Sequence, residues 1–558
     1  MEKFGYSELE EYIAALRGGN IPVGKDMEFD PAPMEGAVAS PYTVRVFSDG
    51  IAGLLRADYS EDELASIALA TSKLRRIDVV RKPWGIFIGA ASFDSDETAE
   101  STNYDAIWVR DSVWGYLALS ADPKREDDAK SVLLTLLDYM ASQADRIDRA
   151  IATPGLLDLP GLDGDMNAVH IRFDSSSPGF PDVMDGDMPQ RWTHKQNDAL
   201  GLVIHASLTA YAEGCVTLSD LTAEGAAGGG SRLEAIARLV AYLNAVKYHR
   251  MEDSGAWEEL PRRNTSSIGI VVSALEQLEG LLEDGPGEAP IFADAFMAAA
   301  YRLGLESMVC REALAGLIAD GYKTVHRQLM LGGESPDYDR YDPRRRGADA
   351  ALLSLIYPAC PQRLSIYQKL KILSSVGSLA GEYGIRRYER DNYQSGNFWW
   401  HGIRTDADPE SHKKREASFI TGTEAEWFFD SWYAKCCLIV AAEAGKGIAL
   451  GEEPAASPNA LRGEAVKHMN RALGQITGEG MYSADGKPAP SMALPESYNH
   501  IVAAGVPGES GGPGTSESWP APSPIVPLNW AKASLTLMIA EFLTISNDWR
   551  VKRQNKQP

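Results

Sequence analysis

Apolar residues recur at three- and four-residue spacing along the stretches 61–76, 126–147, 197–213, 232–249, 266–282, 364–379, 427–444, 461–476 and 530–543. That spacing lines one face of an α-helix, so each stretch predicts an amphipathic helix. Shorter candidates around Gly115, Phe292 and Arg311 bring the total to about twelve. Connections rich in Gly, Pro, Asp and Ser separate them at 156–190, 332–346, 401–423 and 503–527. Loops of this length in a folded domain are either functional or disordered, and 505–527, with GESGGPGTSESWPAPSP, reads as flexible. The pattern predicts an all-α fold whose chemistry is carried by loops between helices. The segment 1–55, containing the linker-like PAPMEGAVASPY, reads as an N-terminal extension, and 56–558 as one unit.

Composition narrows the partners. Of the 558 residues, 44% are hydrophobic and 24% charged, enough for a large core in a soluble globular chain. Lys and Arg number 54 against 78 Asp and Glu, a net charge of -24 that repels a phosphate backbone or an anionic membrane. Nucleic-acid and membrane partners are therefore not expected, and a neutral substrate is favoured. The first residues, MEKFGYSELEEYIAALRGG, lack the basic start and apolar core of a signal peptide. Five cysteines, an odd number, fit a reducing cytoplasm better than a disulfide framework. No CxxC or HExxH pairing occurs, so neither a metal nor a cofactor is expected. The Asp/Gly clusters LDGDMN and MDGDMP do not follow the ligand spacing of a calcium loop and read as solvated turns.

Two acidic motifs stand far apart, Trp257-Glu258-Glu259 and Leu494-Pro495-Glu496-Ser497-Tyr498, each with an aromatic neighbour. Glycoside hydrolysis needs such a pair, one carboxyl protonated for the leaving oxygen and one ionised to activate water. Aromatic neighbours supply desolvation and a face on which a sugar stacks. Five further stretches mix charged or amide groups with aromatics, the mixture a polyol pocket needs. They are YDAIWVRDS at 104–112, RWTHKQND at 191–198, RRYERDNY at 386–393, Phe398-Trp399-Trp400 and Glu424-Ala425-Glu426-Trp427. Singly, each suits a helix start or a capping ion pair. Their recurrence before successive helices points to one rim of a helical ring.

In order come YDAIWVRDS, VHIRF, RWTHKQNDALG, SGAWEEL with NTSSIGIVVSALEQL, RRYERDNY, EAEWFFDSWYA, LPESYN and PLNWAKASLTL, within a resemblance that covers roughly residues 61–542. This series resembles glycoside hydrolase family 15, the glucoamylase family, including the related N-terminal domains of phosphorylase kinase alpha and beta subunits. The resemblance implies an (α/α)6 toroid with long functional loops on one rim. It implies that Glu258 is the general acid, Glu496 the general base and Glu259 a substrate-contacting acid beside the donor. Arg110 and Asp111 match the pair that holds the terminal sugar, Trp192 a pocket tryptophan, Trp257 the aromatic of the acid motif, and Arg387 the arginine on the neighbouring sugar. Gln196, Asn197 and Asp198 match a motif with a partly structural role. The segment between Trp400 and Ala425 departs from the fungal pattern, leaving either Trp399 or Trp427 in the family's tryptophan position. The function implied is an inverting, exo-acting α-glucosidase that releases β-glucose from short soluble α-linked glucose oligosaccharides of maltose or isomaltose type. A trehalose or other α-glucoside hydrolase would use the same acids, and a non-catalytic glucan-binding or regulatory protein could keep the same toroid.

Overall fold

In a computed structural model, which describes residues 5–32, 40–91, 106–283, 289–402, 409–449, 456–503 and 517–554, the apolar stripes become helices arranged in two concentric rings. Among the described residues the inner ring holds Val109–Ser120, Asn197–Ala212, Thr265–Leu281, the short 3-10 helix Ala350–Leu355, Asp430–Ala449 and Asn529–Gln554. Each packs on the next and the last returns to the first, so the ring closes. Outside it run Glu126–Ser142, Arg232–Ala245, Arg311–Leu331, Ile366–Gly377, Pro458–Gly474 and Glu61–Ala70, each against an inner partner. The fold is an (α/α)6 toroid, closed by packing its last inner helix on its first outer one.

Aromatic packing joins inner elements that are distant in sequence. The buried Trp114 ring lies 5.1 Å from Trp432, 5.6 Å from Trp530 and 5.8 Å from Tyr357. Trp432 also donates its indole N–H to the Tyr357 carbonyl at 2.7 Å. The close of the ring is pinned by Asn529, whose backbone N–H and side-chain amide donate to the carbonyls of Ala90 and Gly89.

The small sheets serve the rim. Glu426–Trp427, Ser497–Val502 and Ser518–Pro522 form an antiparallel sheet with Ser497 opposite Trp427, which brings the LPES and EAEW motifs side by side. The strands Lys25–Phe29 and Tyr42–Val46 pair and lie on the outer helix Pro458–Gly474. Gly474 permits that approach, because a Cβ there would stand 2.5 Å from the Arg45 carbonyl oxygen. Val44 and Val46 join the toroid's own apolar core, and the Phe47 ring stacks on Tyr498 at 4.2 Å.

Four expectations change. The helix expected over 126–147 breaks at Gln143, whose side-chain amide bonds both the carbonyl and the N–H of His170. The connection 401–423 contains the helix Pro409–Ser418, which its polar sequence concealed, and part of 503–527 is strand. Asp165 of LDGDMN is buried rather than solvated and accepts the Lys195 backbone N–H at 3.0 Å. Tyr104 and Asp105, residues 33–39 of the linker-like segment, and 504–516 lie outside the described residues. Because Trp114 packs on two other inner helices and on Tyr357, Trp114→Ala should cost about 3–5 kcal/mol in chemical denaturation, as for other buried tryptophans.

Candidate active site

The inner elements begin at one rim, and residues at or just before their N-termini line a single pocket there. Arg110 and Asp111 open the first inner helix, Trp192 and Glu258 precede the second and third, Trp427 and Phe428 precede the fifth, and Leu528 and Trp530 flank the start of the sixth. Trp108, Trp257, Glu259, Arg387, Tyr393, Arg415 and Glu496 complete most of the wall. The pocket is a cleft with about 830 Å3 of empty space, open solvent at its mouth included.

Glu258 sits in a left-handed turn, φ 56° and ψ 42°, closing the 3-10 helix Gly255–Trp257. A non-glycine residue there is uncommon, and such strain clusters at functional sites. Gly255 also has positive φ, and a Cβ on it would meet the Asn264 amide at 2.6 Å. The Glu258 carboxylate accepts only from donors. Oε1 takes the indole N–H of Trp108 at 2.9 Å, the Gln196 amide at 3.2 Å and Arg110 Nη2 at 3.4 Å, and Oε2 takes the Trp192 indole at 3.1 Å. Arg172 of the VHIRF stretch braces both indoles, its guanidinium 4.0 Å from the Trp192 ring and 5.0 Å from Trp108.

Glu259 turns the other way. It is 3% exposed and accepts from Arg387 at 3.0 Å, Arg346 at 3.2 Å and the Tyr388 hydroxyl at 2.5 Å, with Arg262 at 3.5 Å. Burial alone would raise its pKa, but the three guanidiniums outweigh it and hold the carboxyl well below the usual range. Arg387 is also gripped by Asp391 through two bonds of 2.6 Å, and its guanidinium lies 4.8 Å from the Trp427 ring, 5.0 Å from Tyr393 and 5.5 Å from Trp257. Arg110 is buried among Gln196, Asp198 and Glu258. Beside it, burial pushes Asp111 up to about 6, with Arg110 opposing the rise. Asp253, which accepts from the backbone of Asn197 and the side chain of Asn264, is pushed up to about 7 by burial and by Asp198.

Glu496 reaches the pocket just before the strand Ser497–Val502 and accepts from the Gln394 amide at 2.5 Å. Trp257 lines the wall with its indole N–H tied to Asp349 at 2.8 Å. Of the two candidate tryptophans, Trp427 is the one in the wall. Trp399 is placed elsewhere: its indole donates to Asn499, and its ring packs edge-on to Phe398 and beside the cluster around Tyr12. Arg387 and Trp427 thus meet Glu258, Glu259, Glu496, Arg110, Asp111, Trp192 and Trp257 in one place.

No family model matches the sequence. The chain is 42% identical over 215 residues to the uncharacterized lipoprotein YgeQ of Escherichia coli K12, covering 38% of this chain and 78% of that protein. The chain belongs to the YgeQ family. A second relative is the putative protein YgeP of the same organism, 34% identical over 102 residues that make up 18% of this chain and all of YgeP. A weaker likeness, 26% over 289 residues, joins this YgeQ-family chain to a probable phosphorylase b kinase regulatory subunit alpha of Caenorhabditis elegans, covering 48% of the chain and 19% of that subunit. Among solved structures, a glycosidase variant in complex with glucose matches with a TM-score of 0.50 and 16% identity over 88% of this chain and all of its own. A glucoamylase from Saccharomycopsis fibuligera matches with a TM-score of 0.50 and 13% identity, over 88% and 97% of the two chains. At such identities the likeness is one of fold, and it places this YgeQ-family chain among the glucoamylase-type toroids.

Trp108, Trp530, Tyr393, Gln394 and Arg415 also belong to the site. The first two lie inside motifs already visible in the sequence, IWVRD and PLNWAKAS, whereas Arg415 comes from a polar helix with no marking pattern. Removing the charge of Glu259 leaves Arg262 and Arg346 without their carboxylate and Arg387 with Asp391 alone, so Glu259→Gln should lose about 3–5 kcal/mol at pH 7. Since its folded pKa lies below the ordinary 4.5, this contribution is present above that value and fades as pH falls below it. Urea unfolding of both proteins from pH 7 down to 3 should show the gap closing.

Proposed function

We propose that the chain is an inverting, exo-acting glycoside hydrolase of the glucoamylase family that releases β-glucose from short α-glucans of maltose or isomaltose type. The observation that carries this reading is the convergence of Glu258 and Glu496 on one pocket with an Arg-Asp pair and three tryptophans, Trp192, Trp257 and Trp427. The toroid shared with glycosidases agrees with it.

In this mechanism Glu258 carries the proton on Oε2, which receives one N–H where Oε1 receives three. The proton passes to the glycosidic oxygen as the bond from the anomeric carbon to that oxygen breaks. Water attacks the same carbon from the opposite face and gives its proton to Glu496, so the configuration inverts. Arg110 donates to and Asp111 accepts from hydroxyls of the terminal sugar, while Glu259 and Arg387 serve the neighbouring unit. Two carboxylates with a sugar-binding wall suffice for this chemistry. In this reading residues 1–55 are an N-terminal extension and 56–558 the catalytic unit. Five unpaired cysteines support a cytoplasmic location. Cell fractionation tests that placement, since the related YgeQ is named a lipoprotein.

The likeness to a kinase regulatory subunit favours a second reading, a glucan-binding regulatory protein without turnover. Proton NMR of the protein with maltose, isomaltose and trehalose in separate tubes, followed from the first minutes, separates the two. Early β-glucose from one tube supports inversion and identifies the linkage. Early α-glucose contradicts the mechanism, and binding with no release transfers the case to the regulatory reading. Glu258→Gln and Glu496→Gln should each lower turnover by about 100- to 10,000-fold with melting temperatures close to the parent's. Near-normal turnover in either would remove that residue from its role.

A further inference from the structure

Glu496 has a partner that no motif singles out. Gln394 donates its side-chain amide to Glu496 Oε2 at 2.5 Å and is itself completely buried. Its amide oxygen is already occupied, accepting from Ser497 Oγ at 2.7 Å and from Asn499 Nδ2 at 3.4 Å. An amide whose oxygen is taken in this way presents only its NH2 group to the carboxylate.

The backbone is built to hold that arrangement. Gln394 has φ 59°, a left-handed conformation that a non-glycine residue keeps only where its surroundings enforce it. On one side, Asp391 is fixed by Arg387 and accepts the Tyr393 N–H at 3.1 Å. On the other, Asn397 exchanges two hydrogen bonds of 2.9 Å with the backbone of Val502. Between them the Gln394 carbonyl accepts from Asn499 at 2.7 Å. The loop is thus stitched by side chains to the strand that follows Glu496, and the same few residues position both Arg387 and the carboxylate.

Resting on the hydrolase reading above, we propose that Gln394 is the positioning residue of the general base. It fixes Oε2 of Glu496 and favours the ionised form by donating to it. The charged groups sharing the pocket with Glu496 are Arg110, Asp111, Glu258, Glu259, Arg387 and Arg415. None of them contributes this amide bond, so a substitution at Gln394 isolates its effect.

The test is Gln394→Met, similar in length but without a donor, in the full chain. On whichever glucoside the parent cleaves, kcat should fall by about tenfold or more, with KM changing less. The acid limb of the kcat/KM profile should move to higher pH, because the ionised base has lost a donor. A packing role alone would lower the melting temperature and leave the limb in place, which would overturn the proposal. A second readout does not need turnover: carbon NMR of protein labelled at glutamate carboxyls, with the Glu496 signal assigned by its loss in Glu496→Gln. Its titration midpoint should rise in Gln394→Met, and in Ser497→Ala, which removes the shorter of the two bonds to the amide oxygen, it should rise by less. A midpoint unmoved in both variants overturns the proposal even if the parent cleaves no glycoside. Failure of the hydrolase reading would instead appear as no glucose release while the midpoint still shifts.

Discussion

Two consecutive glutamates, Glu258 and Glu259, stand in opposite surroundings, and the left-handed backbone at Glu258 is what allows it. Glu258 turns toward two indoles, an amide and one guanidinium. Glu259 turns toward a hydroxyl and three guanidiniums. The strain is held in place from both sides. Asn264 closes over Gly255 and bonds Asp253, and the backbone of Asp253 pairs with Arg262 across the turn. The walls of the pocket follow from this division, because Trp192 and Arg110 are anchored on the first carboxylate and Arg387 and Tyr388 on the second.

The toroid makes that division affordable. Five of its six inner elements have pocket residues at or ahead of their N-termini, and a helix N-terminus favours negative charge through its unpaired N–H groups. Asp111 and Asp198 occupy first turns, but deep burial works against them, leaving Asp111 near 6 and raising Asp198 as well. Arg110 stands between these acids and Glu258 and tempers the repulsion among them. Around the pocket, Glu258, Asp111 and Asp198 thus stand beside Arg110, and Glu259 beside Arg387, Arg346 and Arg262.

Much of this was readable from the chain. Helical periodicity located the main ring helices, and the order of motifs marked Glu258, Glu259, Glu496, Arg110, Asp111, Trp192, Trp257 and Arg387, all of which the fold gathers. What escaped depends on tertiary placement. The inner element Ala350–Leu355 is too short for a period to register, and Pro409–Ser418 has no apolar stripe although it delivers Arg415. Trp399 and Trp427 both follow the RRYERDNY stretch, and only the pairing of Trp427 with Ser497 across the small sheet brings it to the wall. Gln394 looks like an ordinary loop amide until its left-handed backbone aims it at Glu496.

The two carboxylates are served by the same device. At Glu258 the amide belongs to Gln196, whose oxygen is taken by Arg110 at 2.9 Å, so its NH2 faces the acid. At Glu496 it belongs to Gln394, whose oxygen is taken by Ser497 and Asn499. Around Glu258 the other partners are indole N–H groups and a guanidinium, which have no lone pair to offer. A proton placed on Glu258 therefore finds no acceptor among these four neighbours and is left to the open side of the pocket, where a glycosidic oxygen would lie. The same donors favour the ionised carboxylate, so in the proposed hydrolysis the shell both aims a proton on Glu258 into the pocket and favours its release.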